Sequence, residues 1–186
     1  FPATACISIN EEIVHGIPGD RVVQSGDLVT LDCGAIVDGY NSDYAVTQIA
    51  GPSTSEKDDL INTTRASLEM GIKAARPGNR VGDISNAVES QVLPKSYELV
   101  REYVGHGIGK ALHEPPQIPN FGPPGHGQEL RAGLVLAIEP MVNVGGWKTR
   151  MLDDGWTVVT EDGALSCHFE HTVAITEDGP VVLTVE

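Results

Sequence analysis

A chain of 186 residues with 40% hydrophobic content can bury one sizeable core, and its length suits a single domain. Its net charge of −14, with only 12 Lys and Arg spread thinly, leaves no basic stripe to displace counterions from a phosphate backbone, which argues against nucleic-acid binding. No apolar run approaches the roughly 18 residues of a membrane span and no signal-peptide pattern is present; the three cysteines, Cys6, Cys33 and Cys167, form no CxxC pair, so a soluble cytoplasmic protein with free thiols is expected.

The first strong signal is LVTLDCGAIVDGYNSDYAV, residues 28 to 46, whose apolar run reads as a strand pressed into a core yet carries Asp32. Asp38-Gly39 predicts a two-residue type I′ turn, since both residues tolerate positive φ. That turn fixes a register in which Asp32 faces Ala45 and Gly34 faces Asp43. Residues two apart share a face, so Asp32 and Asp43 become diagonal neighbours roughly 7 Å apart.

Ser53-x-x-Glu56 has the form of a capping box, and Ile61, Leu68, Ile72 and Ala75 repeat at helical spacing until Pro77-Gly78. A second helix is expected through Ile84, Ala87, Val88 and Val92, ending at Pro94. ELVREYV (98 to 104), LVLAIEPMV (134 to 142) and HFEHTVAIT (168 to 176) read as strands, the last two with interior acids at Glu139 and Glu170. The order predicts an α+β fold, a mostly antiparallel sheet with helices on one side.

Asp32, Asp43, Glu139 and Glu170 in sheet-like surroundings, with His106 between Gly105 and Gly107, form the constellation of interest. The flanking glycines are expected to leave room for a ligand. Unpaired buried carboxylates cost several kcal/mol each, whereas two divalent cations would neutralise four of them. Oxygen-rich ligands with one imidazole suit Co, Mn, Fe or Zn in a two-metal hydrolytic site better than a structural zinc. Taken singly, Asp43 reads as a turn acid, Glu139 as a strand end and His106 as a satisfied loop histidine; the combination favours the metal reading. GHGIGK fails the phosphate-loop pattern at Val104 and Ala111, and His113-Glu114 begins an HExxH match that ends at Gln117. Cys6 or Cys167 as a nucleophile lacks a specified base, and His126 reads as a solvated surface residue.

The set CISINEEIVHGIP (6 to 18), LDCGAIVDGYNSD (31 to 43), GHGIGKALHEPP (105 to 116), IEPMV (138 to 142) and FEHT (169 to 172) resembles the type I methionine aminopeptidases. The short interval between His106 and Glu139 leaves no room for the helical insertion of type II enzymes. The resemblance implies a pita-bread fold, with a pseudo-twofold sheet holding two divalent ions. It implies that Asp32 is a bidentate ligand of one ion, that His106 and Glu139 are ligands of the other, and that Asp43 and Glu170 bridge them. The implied reaction removes the initiator methionine from nascent polypeptides with a small second residue, by attack of a metal-bridging hydroxide on the scissile carbonyl. Glu139 then shuttles the proton, His113 hydrogen-bonds the carbonyl side, and His15 contacts the amide nitrogen or the leaving amine. Phe1, Cys6 and Trp156, with Leu112 nearby, form the methionine pocket beside His15 and His113.

Leu112 stands where many relatives carry a larger aromatic residue, and His168 where glutamine is common. Relatives usually carry a further segment before the position of Phe1. The chain is therefore expected to be one catalytic domain over residues 1–186 without it. A monomer acting on peptide N-termini, with the ribosome as a candidate docking partner through protein contact, completes the expectation. Two alternatives stand beside it: a proline-directed aminopeptidase or prolidase of the same fold, and a non-catalytic binding protein on this scaffold.

Overall fold

The computed structural model describes residues 1–185. Two short strands, β1 (Cys6–Ile9) and β2 (Glu12–Val14), precede a long ribbon of β3 (Leu28–Val37) and β4 (Tyr40–Ile49). Asp38 and Gly39 take φ of 51° and 81°, as a type I′ turn requires, and the ladder follows the predicted register from Val37 against Tyr40 to Leu28 against Ile49. Burial departs from expectation: Leu28 and Thr30 are enclosed, but residues from Cys33 to Tyr40 are exposed. The far half of the ribbon projects beyond the elements that would cover it.

Helix α1 (Ser55–Ala74) is capped one residue later than predicted. Thr54 has the extended backbone of a cap, and its Oγ1 accepts from the Lys57 N–H, while Ser53 donates to Asp58 instead. Helix α2 (Val81–Val92) follows, with a 3₁₀ turn at Leu93–Lys95 where Pro94 was expected to end it. The helices pack closely at Gly71, where a Cβ would lie 2.8 Å from Val88 and 3.3 Å from Ile138. Leu60 and Leu68 of α1 and Ile84 and Val88 of α2 share one core with sheet residues Leu136, Ile138, Val173 and Ile175.

The remaining strands are short: β5 (Glu98–Leu99), β6 (Gly105–Gly107), β7 (Glu114–Ile118), β8 (Val135–Ile138), β9 (Met141–Asn143), β10 (Thr149–Met151), β11 (Val158–Thr160), β12 (Ser166–His168), β13 (Glu170–Thr176) and β14 (Gly179–Val182). Three expected strands are thereby corrected. The segment 98–104 pairs only at Glu98 and Leu99 before bending away, and the runs 134–142 and 168–176 are each cut in two. The cuts fall at Glu139-Pro140 and at Phe169, where Pro140 has no N–H to give a ladder. On either side of them the chain belongs to different sheets: β8 and β13 pair in the large sheet, β9 and β12 in a small one.

All described pairings are antiparallel. The large sheet runs β1-β3-β4-β13-β8-β6-β7, with β14 beside β13, and two three-stranded sheets, β10-β11-β2 and β12-β9-β5, complete the architecture.

Candidate metal centre

Strand register alone gathers the acids. Asp32 faces Ala45, and Ala45 faces Glu170, so these three form one row across the large sheet. His106 faces Ala137, and Ala137 faces Thr172, which makes a second row two residues along β13. Directly opposed residues share a face, as do residues two apart on a strand. Asp32, Asp43, His106 and Glu170 therefore all lie on one face, and Glu139, two residues beyond Ala137, follows them just past the end of β8.

Backbone partners hold these groups. Thr172 Oγ1 accepts from the Asp43 N–H and donates to the Asp43 carbonyl, both at 2.8 Å, tying β4 to β13. Asn120 donates to the Glu139 carbonyl at 3.0 Å, and the Phe169 N–H reaches the Pro140 carbonyl at 3.4 Å, so the two strand breaks brace each other. His106 Nδ1 donates to the Gly107 carbonyl at 2.8 Å, the tautomer that leaves the Nε2 lone pair free. The space beside Gly105 and Gly107 is taken by protein, contrary to expectation. A Cβ at Gly105 would lie 2.4 Å from the Ala137 oxygen and one at Gly107 2.3 Å from the Pro115 oxygen. These glycines let β6 nest between β7 and β8 rather than admit a ligand.

Two trios of ligand atoms, Asp43–His106–Glu170 and Glu139–His168–Glu170, each lie within 4.8 Å of one another. Asp32 belongs to neither and stands beside Asp43 at the outer edge. Burial pushes Asp32 up to about 7, with the charge of Asp43 adding to it. Burial likewise raises Asp43, against the pull of His106, and lifts Glu139 and Glu170 well above the carboxylate range, reinforced by the other acids. Glu170 is 2% exposed, and its Oε1 has no hydrogen-bond partner among the described residues. Acids this crowded, with an unpaired buried oxygen and an imidazole lone pair among them, fit oxygen-rich divalent cations.

The centre opens into a cleft with two lobes. One, of about 510 Å³, holds Asp32, Asp43, His106, Glu139 and Glu170. The other, of about 450 Å³, is lined by Phe1, Cys6, Ile36, Leu112 and Trp156 among others. His15, Asp32, Asp43 and His113 line both. His113 stacks edge-on to His106 with ring centres 4.3 Å apart, and Phe1 packs on Trp156 at 5.5 Å. Burial, then the neighbouring His113, lowers His15, while burial and the Asp32 charge push the Cys6 thiol up to about 12, so Cys6 is no nucleophile.

Metallopeptidase family M24 matches residues 1–177. The chain belongs to this family. A methionine aminopeptidase of Clostridium perfringens is 50% identical over 185 residues, covering 100% of this chain and 74% of its own length. Methionine aminopeptidase 1 of Bacillus subtilis is 50% identical over 184 residues, covering 99% and 74%. The crystal structure of a methionine aminopeptidase from Thermotoga maritima superposes with a TM-score of 0.96 at 48% identity, covering 98% of this chain and 74% of that one. The M24 chain thus has the pita-bread fold.

Sequence reasoning missed several groups of this M24 site. Tyr103 and Gln117 line the metal lobe, and Tyr103 stands 6.0 Å from His15 ring to ring. Thr172 and Asn120 hold the backbones of Asp43 and Glu139 from elsewhere in the chain. Only Thr172 carried a signal, its place two residues after Glu170 on the same strand face. His126 is exposed, as expected. No described helix is long and apolar enough to cross a membrane.

Proposed function

We infer that the chain is a metal-dependent aminopeptidase that removes the N-terminal methionine from nascent polypeptides with a small second residue. The observation that carries this reading is the shared wall of His15, Asp32, Asp43 and His113, because it sets a cation-binding cluster directly against an apolar lobe of side-chain size. A peptide whose first side chain fills that lobe brings its amine and first carbonyl to the acids.

Asp32, Asp43, His106, Glu139 and Glu170 would hold two divalent ions, of Co, Mn, Fe or Zn. When bound, such ions supply Lewis acidity toward the scissile carbonyl and toward water. The protein's own groups do the rest. Phe1, Cys6, Leu112 and Trp156 take the methionine side chain and exclude water around it. His113, against His106 on the wall, is placed to donate to the carbonyl side of the scissile bond. His15, kept neutral by burial, can both accept and donate a proton at the amide or leaving amine. Glu139 lies on the cleft floor, where a carboxyl can carry a proton between water and the leaving group. A monomer working in the cytoplasm, with protein contact to the ribosome, is the setting this reading implies.

Metal-free protein should be loaded with Mn or Co and given Met-Ala-Ser and Ala-Pro peptides in parallel. Methionine release from the first alone is expected. Cleavage of Ala-Pro would favour the proline-directed alternative, and metal uptake without turnover of either would favour a binding protein.

A further inference from the structure

The His168 imidazole, a member of the trio with Glu139 and Glu170, takes no part in the chemistry above, yet at 1% exposed it is more enclosed than His106. Neither Nδ1 nor Nε2 has a hydrogen-bond partner among the described residues. Buried ring nitrogens without partners are rare and ask for an explanation. The backbone around this ring is fixed from both directions: the His168 N–H donates to Thr47 Oγ1 at 3.1 Å, and the same hydroxyl donates to the His168 carbonyl at 2.6 Å. Thr30 completes the chain by meeting Thr47 at 2.7 Å.

What the ring faces is Glu139. His106 Nε2 lies 3.6 Å from Oε1 of that carboxylate, and His168 Nε2 lies 3.7 Å from Oε2. The two oxygens therefore look at two different imidazoles. His106 lines the cleft and His168 does not, so His168 approaches from behind, on the side away from solvent. A neutral imidazole owns one N–H. With that hydrogen on Nε2 and a small turn of the carboxylate about its last bond, Oε2 is engaged and Oε1 stays turned into the cleft.

We propose that His168 is a positioning residue for Glu139, holding one carboxylate oxygen from the core side so that the other is presented to the cation site. The proposal rests on the metal-centre reading given above. Supporting donors of this kind typically change metal affinity by about 10–100-fold when removed. Glutamine reaches as far as His Nε2 and can offer the same N–H, whereas asparagine stops at the reach of Nδ1. Chemistry rather than bulk therefore separates the variants.

The test compares wild type with His168→Gln, His168→Asn and His168→Met. The readouts are Co binding by calorimetry, the visible spectrum and X-ray absorption of the Co-loaded proteins, and the melting temperature of each chelated protein. Wild type and His168→Gln are expected to bind Co within about threefold of each other. His168→Met and His168→Asn are expected to bind about 10–100-fold more weakly. If His168→Met fails to fold, His168→Asn carries the same expectation. Equal affinity in all four proteins, or equal loss in His168→Gln and His168→Asn, would overturn the proposal. Loss of an imidazole scatterer from the Co shell in His168→Gln would also overturn it, since the ring would then be a direct ligand. Failure of wild type itself to take up Co would count against the metal-centre reading instead.

Discussion

The two sides of the cleft are built differently. Asp32 and Asp43 stand on one partly exposed hairpin, closed by a two-residue turn, whose register is set between near neighbours in sequence, with Thr172 tying Asp43 across to β13. Glu139, His168 and Glu170 stand at the two strand breaks, His168 and Glu170 fully enclosed, and these breaks are fixed by contacts between segments apart in the chain. The hairpin's register forms locally, whereas the enclosed side has none until distant segments have met. Losing a group should therefore cost more on the enclosed side.

Glu170, common to both groups of converging side chains, gives the largest expected effect. Glu170→Gln should abolish uptake of both ions and with it turnover, exceeding the 10–100-fold typical of supporting residues. Asp32→Ala should lose one ion and keep the other, read as metal content by elemental analysis. Equal stoichiometry in the two variants would erase the distinction between the sides. His113→Ala should keep both ions and slow methionine release by about 10²–10⁴-fold, the usual contribution of a positioned proton donor. Trp156→Ala, at a ring 39% exposed, should leave metal content and kcat alone and raise KM. A loss of roughly 1.5 kcal/mol, or about tenfold in kcat/KM for methionine peptides, is expected.

The smallest effect concerns stability. Folded Asp32 keeps its proton up to about pH 7, while the unfolded carboxyl releases it near 4, so the folded state binds more protons between those values. Metal-free stability from this group is present below about pH 4 and lost as the pH rises toward 7. Chelated wild type should thus lose melting temperature across that window more steeply than chelated Asp32→Asn, by calorimetry at matched ionic strength. Added metal should reverse the trend, since ion binding needs the deprotonated acids.

The same division governs what could be read in advance. The hairpin, its register and the convergence of Asp32 with Asp43 were legible because Asp38-Gly39 dictates them within a few residues. The ribbon's exposure was not, since a run from Leu28 to Val37 looks alike whether or not something covers it. On the enclosed side the acids were visible as charges in apolar runs, and Pro140 marked Glu139 as a strand end, but the break at Phe169 was not visible. It is held by the Phe169–Pro140 contact, a partner that only the folded chain supplies. Gly105 and Gly107 invited a ligand reading because bare glycines do not say which neighbour fills their space.

Where β8 hands over to β9, and β12 to β13, two sheets share a seam, and the acids sit on it. A cation held there would act as a rivet through both layers. Stripping it with a chelator should free the seam before it disturbs the helices, so amide exchange should quicken first over residues 138–143 and 166–170 and only later within α1 and α2.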